Sequence, residues 1–397
     1  MVTNNFDPVE LLCQLVSIPS VNPMGREVSG NEYYEEALTE FLQRFFEQLG
    51  VPWQRQSVSP RRDNILAKLP SPNGDGQLLV FEAHQDTVPV DGMTIPPWEP
   101  EVRDGRVYGR GACDIKGGMA CMLSVFARLA TQRPANMPNI VMACTVNEEN
   151  GFTGAKSLAD YWSRGGDDFM SGTPDAVIVA EPTSLDVVVA HKGVIRWRCT
   201  TAGRAAHSSC PEEGDNAIYQ MARVVAALEA YADQLRQTQR HPRVGCPTLS
   251  VGTIQGGICV NTVPDRCSIE VDRRLLPGED PNQARQAVIE FLDQRLPAET
   301  QLLHEEPFIC SHGLNDQWNS DLAEQLSAVI RQHGASGKHI GVPYGTDAPA
   351  YAALEIPTVI FGPGSIAQAH TATEWVPIDQ VRSATDILHT FTRDSSP

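Results

Sequence analysis

Four short apolar runs in this chain each end on an acid or an imidazole. Leu78–Phe81 leads to His84-Gln85-Asp86, Ile140–Val146 leads to Glu148-Glu149, and Ala176–Val179 leads to Glu181. A fourth run, Pro357–Phe361, passes through Gly362-Pro363-Gly364 to His370, and Asp114 sits in Gly109–Asp114 just ahead of an apolar helical stretch. Few histidines among several carboxylates make a poor nucleophilic triad and a good divalent-metal site. A carboxylate shared by two ions about 3.5 Å apart would help to acidify a water between them. Adjacent Glu148 and Glu149 would point in different directions past a strand end, so one can bind metal while the other moves protons. Asp86, two residues beyond His84, can accept the proton on that ring's second nitrogen. Each pattern alone is commonplace: a solvated Glu pair, a helix cap, a turn. Their joint placement after strands carries the reading.

The elements needed to bring these residues together are those of an α/β protein. Asp7-Pro8-Val9-Glu10 opens a capped helix, and a second helix runs from about 31 to 49 and stops at Gly50. Asn73–Gly76 reads as a turn, Asp104-Gly105 as a hairpin, and residues 119–129 as a buried helix. The apolar runs alternate with helices, which implies a largely parallel sheet. In such sheets sites form at the carboxyl ends of the strands. From about residue 187 the order becomes strand, helix, strand, strand, helix, strand, which predicts a small inserted α+β sandwich. After about 303 the α/β pattern resumes, with a helix over 321–332. The expected division is therefore a metal-binding domain of 1–187 and 303–397 interrupted by a lid or dimerisation domain of 188–302.

Bulk properties narrow the class. A chain of 397 residues exceeds one compact core. Its net charge of −18 argues against nucleic acid or an anionic membrane as partner. No apolar run reaches the roughly 18–20 residues that span a bilayer, and MVTNNFDPVE lacks the form of a secretory signal. The 10 cysteines are scattered without a C-x-x-C pair, as expected of free thiols in a reducing cytoplasm.

The chain resembles the M20-type metallopeptidase and deacylase family, which includes acetylornithine deacetylase, succinyl-diaminopimelate desuccinylase, aminoacylase and glutamate carboxypeptidase. The resemblance covers nearly the whole length. It rests on Ala83–Pro89, Gly109–Gly118, Asn147-Glu148-Glu149, Ala180-Glu181-Pro182, Ala206–Ser209, Asn261–Asp265 and Gly362–Thr371, in that order. It implies a zinc-peptidase-like catalytic domain, two divalent ions (zinc, with cobalt or manganese as alternatives) and a homodimer formed through the inserted domain. Asp114 would bridge the ions, with His84 and Glu181 on one and Glu149 and His370 on the other. Glu148 would be the general base and Asp86 the residue that orients His84. His207 would reach a partner subunit's active site and stabilise an oxyanion. Asn261 and Arg273 would bind substrate, Arg273 by forking onto a carboxylate. A cis peptide would follow Asp114. The segment Gly345-Thr346-Asp347-Ala348-Pro349 is similar to the acidic version in acetylornithine deacetylases, which implies Thr346 and Asp347 at a substrate ammonium and N-acetylornithine as the N-acyl amino acid. A helix cap is the alternative role for Asp347. A desuccinylase, an aminoacylase, a di- or carboxypeptidase and a non-catalytic binding protein are the competing readings.

Overall fold

The computed structural model describes residues 6–74 and 76–394, so Met1–Asn5 and the Asp75 of the expected turn lie outside the described residues. The chain forms two units. Among the described residues, one comprises 6–189, 316–340 and 346–394, the other 190–315 and 341–345.

A mixed sheet of eight strands supplies the core of the first unit, with residues 190–191 and 341–342 of its last two strands assigned to the other unit. Its order is Trp53–Ser59, Arg62–Leu69, Asn139–Thr145, Leu78–His84, Ala176–Val179, Thr358–Ile360, Val187–His191, His339–Val342. The four strands from Asn139–Thr145 to Thr358–Ile360 run parallel. The strands before them pair antiparallel, as does Val187–His191 with Thr358–Ile360. The parallel strands are buried on both faces, which is why they read as unbroken apolar runs. Helix Lys116–Gln132 is buried along nearly its whole length and packs against Pro8–Val16 and Ile378–Asp394. Phe6, Phe45, Phe46 and Phe126 contact one another edge to face in the same core. A small sheet joins Glu101–Arg103, Arg106–Tyr108 and Trp375–Pro377, with Asp104 and Gly105 at positive φ in the predicted hairpin turn.

Local rules account for several boundaries. Asp7 caps Pro8–Val16 by accepting from the Val9 and Glu10 amides, and Gly50 ends the second helix at φ 65°. That helix begins at Glu36 rather than near 31. Tyr34 takes φ 70° and donates its amide to Val21, and Glu35 turns inward to Arg62.

The inserted unit is a five-stranded antiparallel sheet with two helices, Ala217–Thr238 and Pro281–Asp293. Alternate residues Ile195, Trp197, Cys199, Cys267, Ile269 and Val271 bury one face against Met221, Val224, Leu228, Val288 and Leu292. The expected carboxyl boundary at 302 moves to Asn315, because Gln301–His304 and Ile309–Ser311 both pair with Gly193–Ala202. All ten cysteines are free thiols. Among the described residues no helix is long and apolar enough to cross a membrane.

Candidate metal centre

Parallel strands deliver the candidate ligands to one rim of the first unit. His84 ends its strand, Glu148 and Glu149 follow Thr145, Glu181 follows Val179, and the segment from Ile360 leads to His370. Gly362 lets two of these segments meet, since a Cβ there would lie 2.6 Å from the Glu181 carbonyl oxygen. Two groups of ligand atoms result: His84, Asp114 and Glu181, and Asp114, Glu149 and His370, each within 4.8 Å of one another. Asp114 belongs to both. Its Oδ1 is 3.3 Å from His84 Nε2 and its Oδ2 is 3.3 Å from His370 Nε2. Glu181 Oε1 is 3.9 Å from His84 Nε2, and Glu149 Oε2 is 3.4 Å from His370 Nε2. The Asp114–Ile115 peptide is cis.

Asp86 orients His84 by a different atom from the one the sequence suggests. His84 Nδ1 lies 3.0 Å from the backbone oxygen of Asp86 and 3.6 Å from its carboxylate. A carbonyl only accepts, so Nδ1 carries a proton and Nε2 is the nitrogen turned toward the cluster. The Asp86 carboxylate instead accepts the amides of Glu148 and Glu149, each at 3.1 Å, and the side-chain amide of Asn22 at 2.7 Å. The turn it holds begins at Asn147, at φ 60°. Asn147 also accepts from Asn22 and donates its backbone amide to Glu35, which is paired with Arg62. Asn22, Glu35 and Arg62 were invisible as site residues in the sequence, because they act only through long-range contacts.

A second buried carboxylate escaped the sequence reading. Glu374 accepts the amides of Cys113 and Asp114 and pairs with Arg110. Its one sequence signal is its place four residues beyond His370.

Glu148 belongs to neither ligand group and is buried beside both. Burial raises its proton affinity well above that of an ordinary carboxyl. His84 opposes this, and the charges of Glu181, Glu149 and Asp347 reinforce it. Burial also disfavours charge on Asp114, but His370 and His84 outweigh it and hold that carboxyl ionised far below the usual range. His370, half-exposed, is pushed up to about 10 by its contacts with Asp114 and Glu149.

Thr346 and Asp347 are buried in the first unit. Thr346 Oγ1 accepts from the Ala348 amide, while the Asp347 side chain makes no helix-capping bond. One Asp347 oxygen is 3.1 Å from the Thr145 hydroxyl, which is also 2.5 Å from Glu82. Burial pushes the Asp347 carboxyl up to about 6.

His207, Asn261 and Arg273 belong to the inserted unit. His207 and Asn261 are exposed neighbours, with the Ser208 amide donating to the Asn261 carbonyl. The Ser209 amide donates to His207 Nδ1, so the neutral ring carries its proton on Nε2 as an outward donor. Arg273 departs from its expected position. It is 1% exposed, on the helix-covered face of its strand, and its guanidinium is held by Glu279 and the Arg274 carbonyl. Strand alternation places Arg274 on the opposite face with Asp272.

The ligand geometry fits divalent ions. His84 Nε2, Asp114 Oδ1 and Glu149 Oε1 are buried without hydrogen-bond partners, so the residues of both clusters carry polar atoms left unsatisfied. Mixed imidazole and carboxylate donors suit zinc, cobalt or manganese. Fold and rim together define a metal-dependent hydrolase. The family model described as Peptidase family M20/M25/M40 matches residues 80–394, and the chain belongs to that family. It is 30% identical to an acetylornithine deacetylase of Proteus mirabilis over 96% of this chain and 94% of that one. An acetylornithine deacetylase of Erwinia tasmaniensis is 31% identical over 96% and 95%. Among solved structures, a tripeptidase from Staphylococcus aureus superposes with a TM-score of 0.77 at 22% identity, covering 99% of both chains. A metallo-carboxypeptidase from Sulfolobus solfataricus gives 0.76 at 17% identity, covering 98% of both.

Proposed function

We propose that the protein hydrolyses the amide bond of an N-acyl amino acid, N-acetylornithine being the substrate, in the cytoplasm. The observation that carries this reading is the pair of ligand clusters sharing Asp114, with Glu148 buried beside them and outside both. His84, Asp114 and Glu181 would hold one ion and Asp114, Glu149 and His370 the other, with zinc proposed and cobalt or manganese as alternatives. When bound, the ions supply Lewis-acid activation of a water and of the scissile carbonyl. Glu148 takes the water's proton and delivers it to the leaving nitrogen, a task suited to a carboxyl whose proton affinity is raised. Asp86 keeps Glu148 and Glu149 diverging by fixing both amides.

His207 offers its Nε2–H to the oxyanion of a partner subunit's substrate, and Asn261 contacts that substrate. Arg273, the guanidinium expected at a substrate carboxylate, is held by Glu279, and Arg274 is likewise paired with Asp272. A homodimer would form through the inserted unit. There the Thr248–Gly256 strand is paired on one edge only, and Tyr219, Ile254, Ile258 and Val260 are exposed. Sedimentation should give twice the chain mass; a monomer at micromolar concentration rejects the dimer.

N-acetylornithine is supported by the whole-length similarity to acetylornithine deacetylases and by Asp347, whose negative potential favours a cationic substrate side chain. Amine release from metal-reconstituted protein should be faster with N-acetylornithine than with succinyl-diaminopimelate, neutral N-acetyl amino acids or peptides. A preference for any of the latter rejects the substrate.

A further inference from the structure

The segment carrying His370 and the loop carrying Asp114 are joined by one side chain. Glu374 is fully buried. Its Oε1 accepts the backbone amides of Cys113 at 2.9 Å and Asp114 at 3.0 Å. Its Oε2 accepts from Arg110 Nη1 at 2.6 Å, and Arg110 Nη2 donates to the Pro89 carbonyl. The Glu374 backbone carbonyl accepts the Gly109 amide, which continues the ladder pairing Trp375–Pro377 with Arg106–Tyr108. Glu374 thus holds both ends of Gly109–Asp114 while sitting four residues beyond His370 in its own segment.

We infer that Glu374 is a positioning residue for the second ion, fixing the bridging Asp114 and His370 relative to each other before metal arrives. The inference rests on the reading of the two clusters as a metal centre. A water could satisfy two amides, but only an anchored acceptor fixes the Asp114 backbone in place. The negative charge of Glu374 is matched by the guanidinium of Arg110 at 2.6 Å, so the pair is neutral overall. Outer-shell partners of metal ligands typically contribute 10–100-fold to affinity. The same range is expected here, although Glu374 acts through the backbone rather than through a ligand side chain.

The test titrates cobalt(II) chloride into the chelator-stripped full-length protein, read by calorimetry and by the visible absorption of bound cobalt. Wild type should take up two equivalents. E374A and E374Q, with unchanged far-ultraviolet circular dichroism, should bind the weaker equivalent about 10–100-fold less tightly and with an altered absorption band. In E374Q the new amide NH2 must face either Arg110 or the two backbone amides, so this variant decides the question should E374A fail to fold. V381A removes buried volume from the helix that follows and leaves the loop bonds intact, so it should lower stability without moving the cobalt affinity or spectrum. Folded Glu374 variants with wild-type affinity and spectrum overturn the inference, as does an equal affinity loss in V381A. A wild-type protein that takes up no cobalt overturns the metal-centre reading itself, and the wild-type arm alone reveals that failure.

Discussion

Replacing Glu148 by Gln separates proton transfer from metal binding. Glu148 lies in neither ligand group, and its backbone is held by Asp86 through the amide, which the substitution leaves intact. The side chain is 7% exposed, so the near-isosteric amide fits the space with little rearrangement. Gln neither accepts a proton from water nor returns one to a leaving amine. Loss of a positioned general base costs 10²–10⁴-fold, and Glu148 serves both proton transfers in the proposed cycle, which places E148Q at the upper end. A loss of about 10⁴ in kcat raises the barrier by roughly 5 kcal/mol. The assay is amine release at saturating N-acetylornithine, with metal content measured on the same preparation. The expected result is two ions per chain, a KM within a few-fold of wild type and kcat lowered by about four decades. An E148Q enzyme that keeps both ions and loses less than tenfold in kcat would remove Glu148 from the chemistry.

Two further outcomes follow from contacts around the site and in the inserted unit. In Asp86→Asn the new NH2 must face the Glu148 amide or else the Glu149 and Asn22 donors. Activity and metal affinity should each drop about 10–100-fold, with the fold retained by circular dichroism; wild-type values would show that the two amides need no anchor. Burial holds His191 down to about 4, against its backbone bond to Lys192, and His304 is lowered to about 4 mainly by burial and by Arg285. Both groups are neutral in folded and unfolded chains above about pH 6.5. As pH falls below that value the unfolded chain protonates these two histidines first, so their contribution to stability declines between about 6.5 and about 4 and then levels off. For fully buried His191 this amounts to roughly 3 kcal/mol. Stability from urea unfolding of wild type minus that of His191→Gln should fall across that range; a constant difference would exclude His191 as a source of pH dependence.

His84, Glu149, Glu181 and His370 were legible because they follow apolar runs at the carboxyl ends of parallel strands, where burial on both faces leaves a clear mark, and Asp114 because it sits just ahead of a buried helix. The inserted unit was legible from its change of element order. What remained hidden depends on register and on distant partners. Arg273 and Arg274 look alike in sequence, and only the pairing of their strand decides which one faces the helices. Glu35 reads as part of a helix, yet its side chain serves Arg62 and the Asn147 amide more than a hundred residues away. The atom of Asp86 that holds the His84 ring is its backbone oxygen, a choice set by the turn geometry after the strand and not by residue type. Glu374 carries no local pattern beyond its distance from His370. The outer strands, Trp53–Ser59 and His339–Val342, lack strong apolar alternation because they lie at or near the sheet edges and are only partly buried.

The central claim is that two cations share Asp114, and anomalous diffraction from zinc-loaded crystals tests it most directly. The account predicts two peaks flanking the Asp114 carboxylate, one about 2.0–2.2 Å from His84 and Glu181 atoms and the other equally close to Glu149 and His370. Zinc peaks elsewhere on the chain, or none within bonding distance of Asp114, would contradict it.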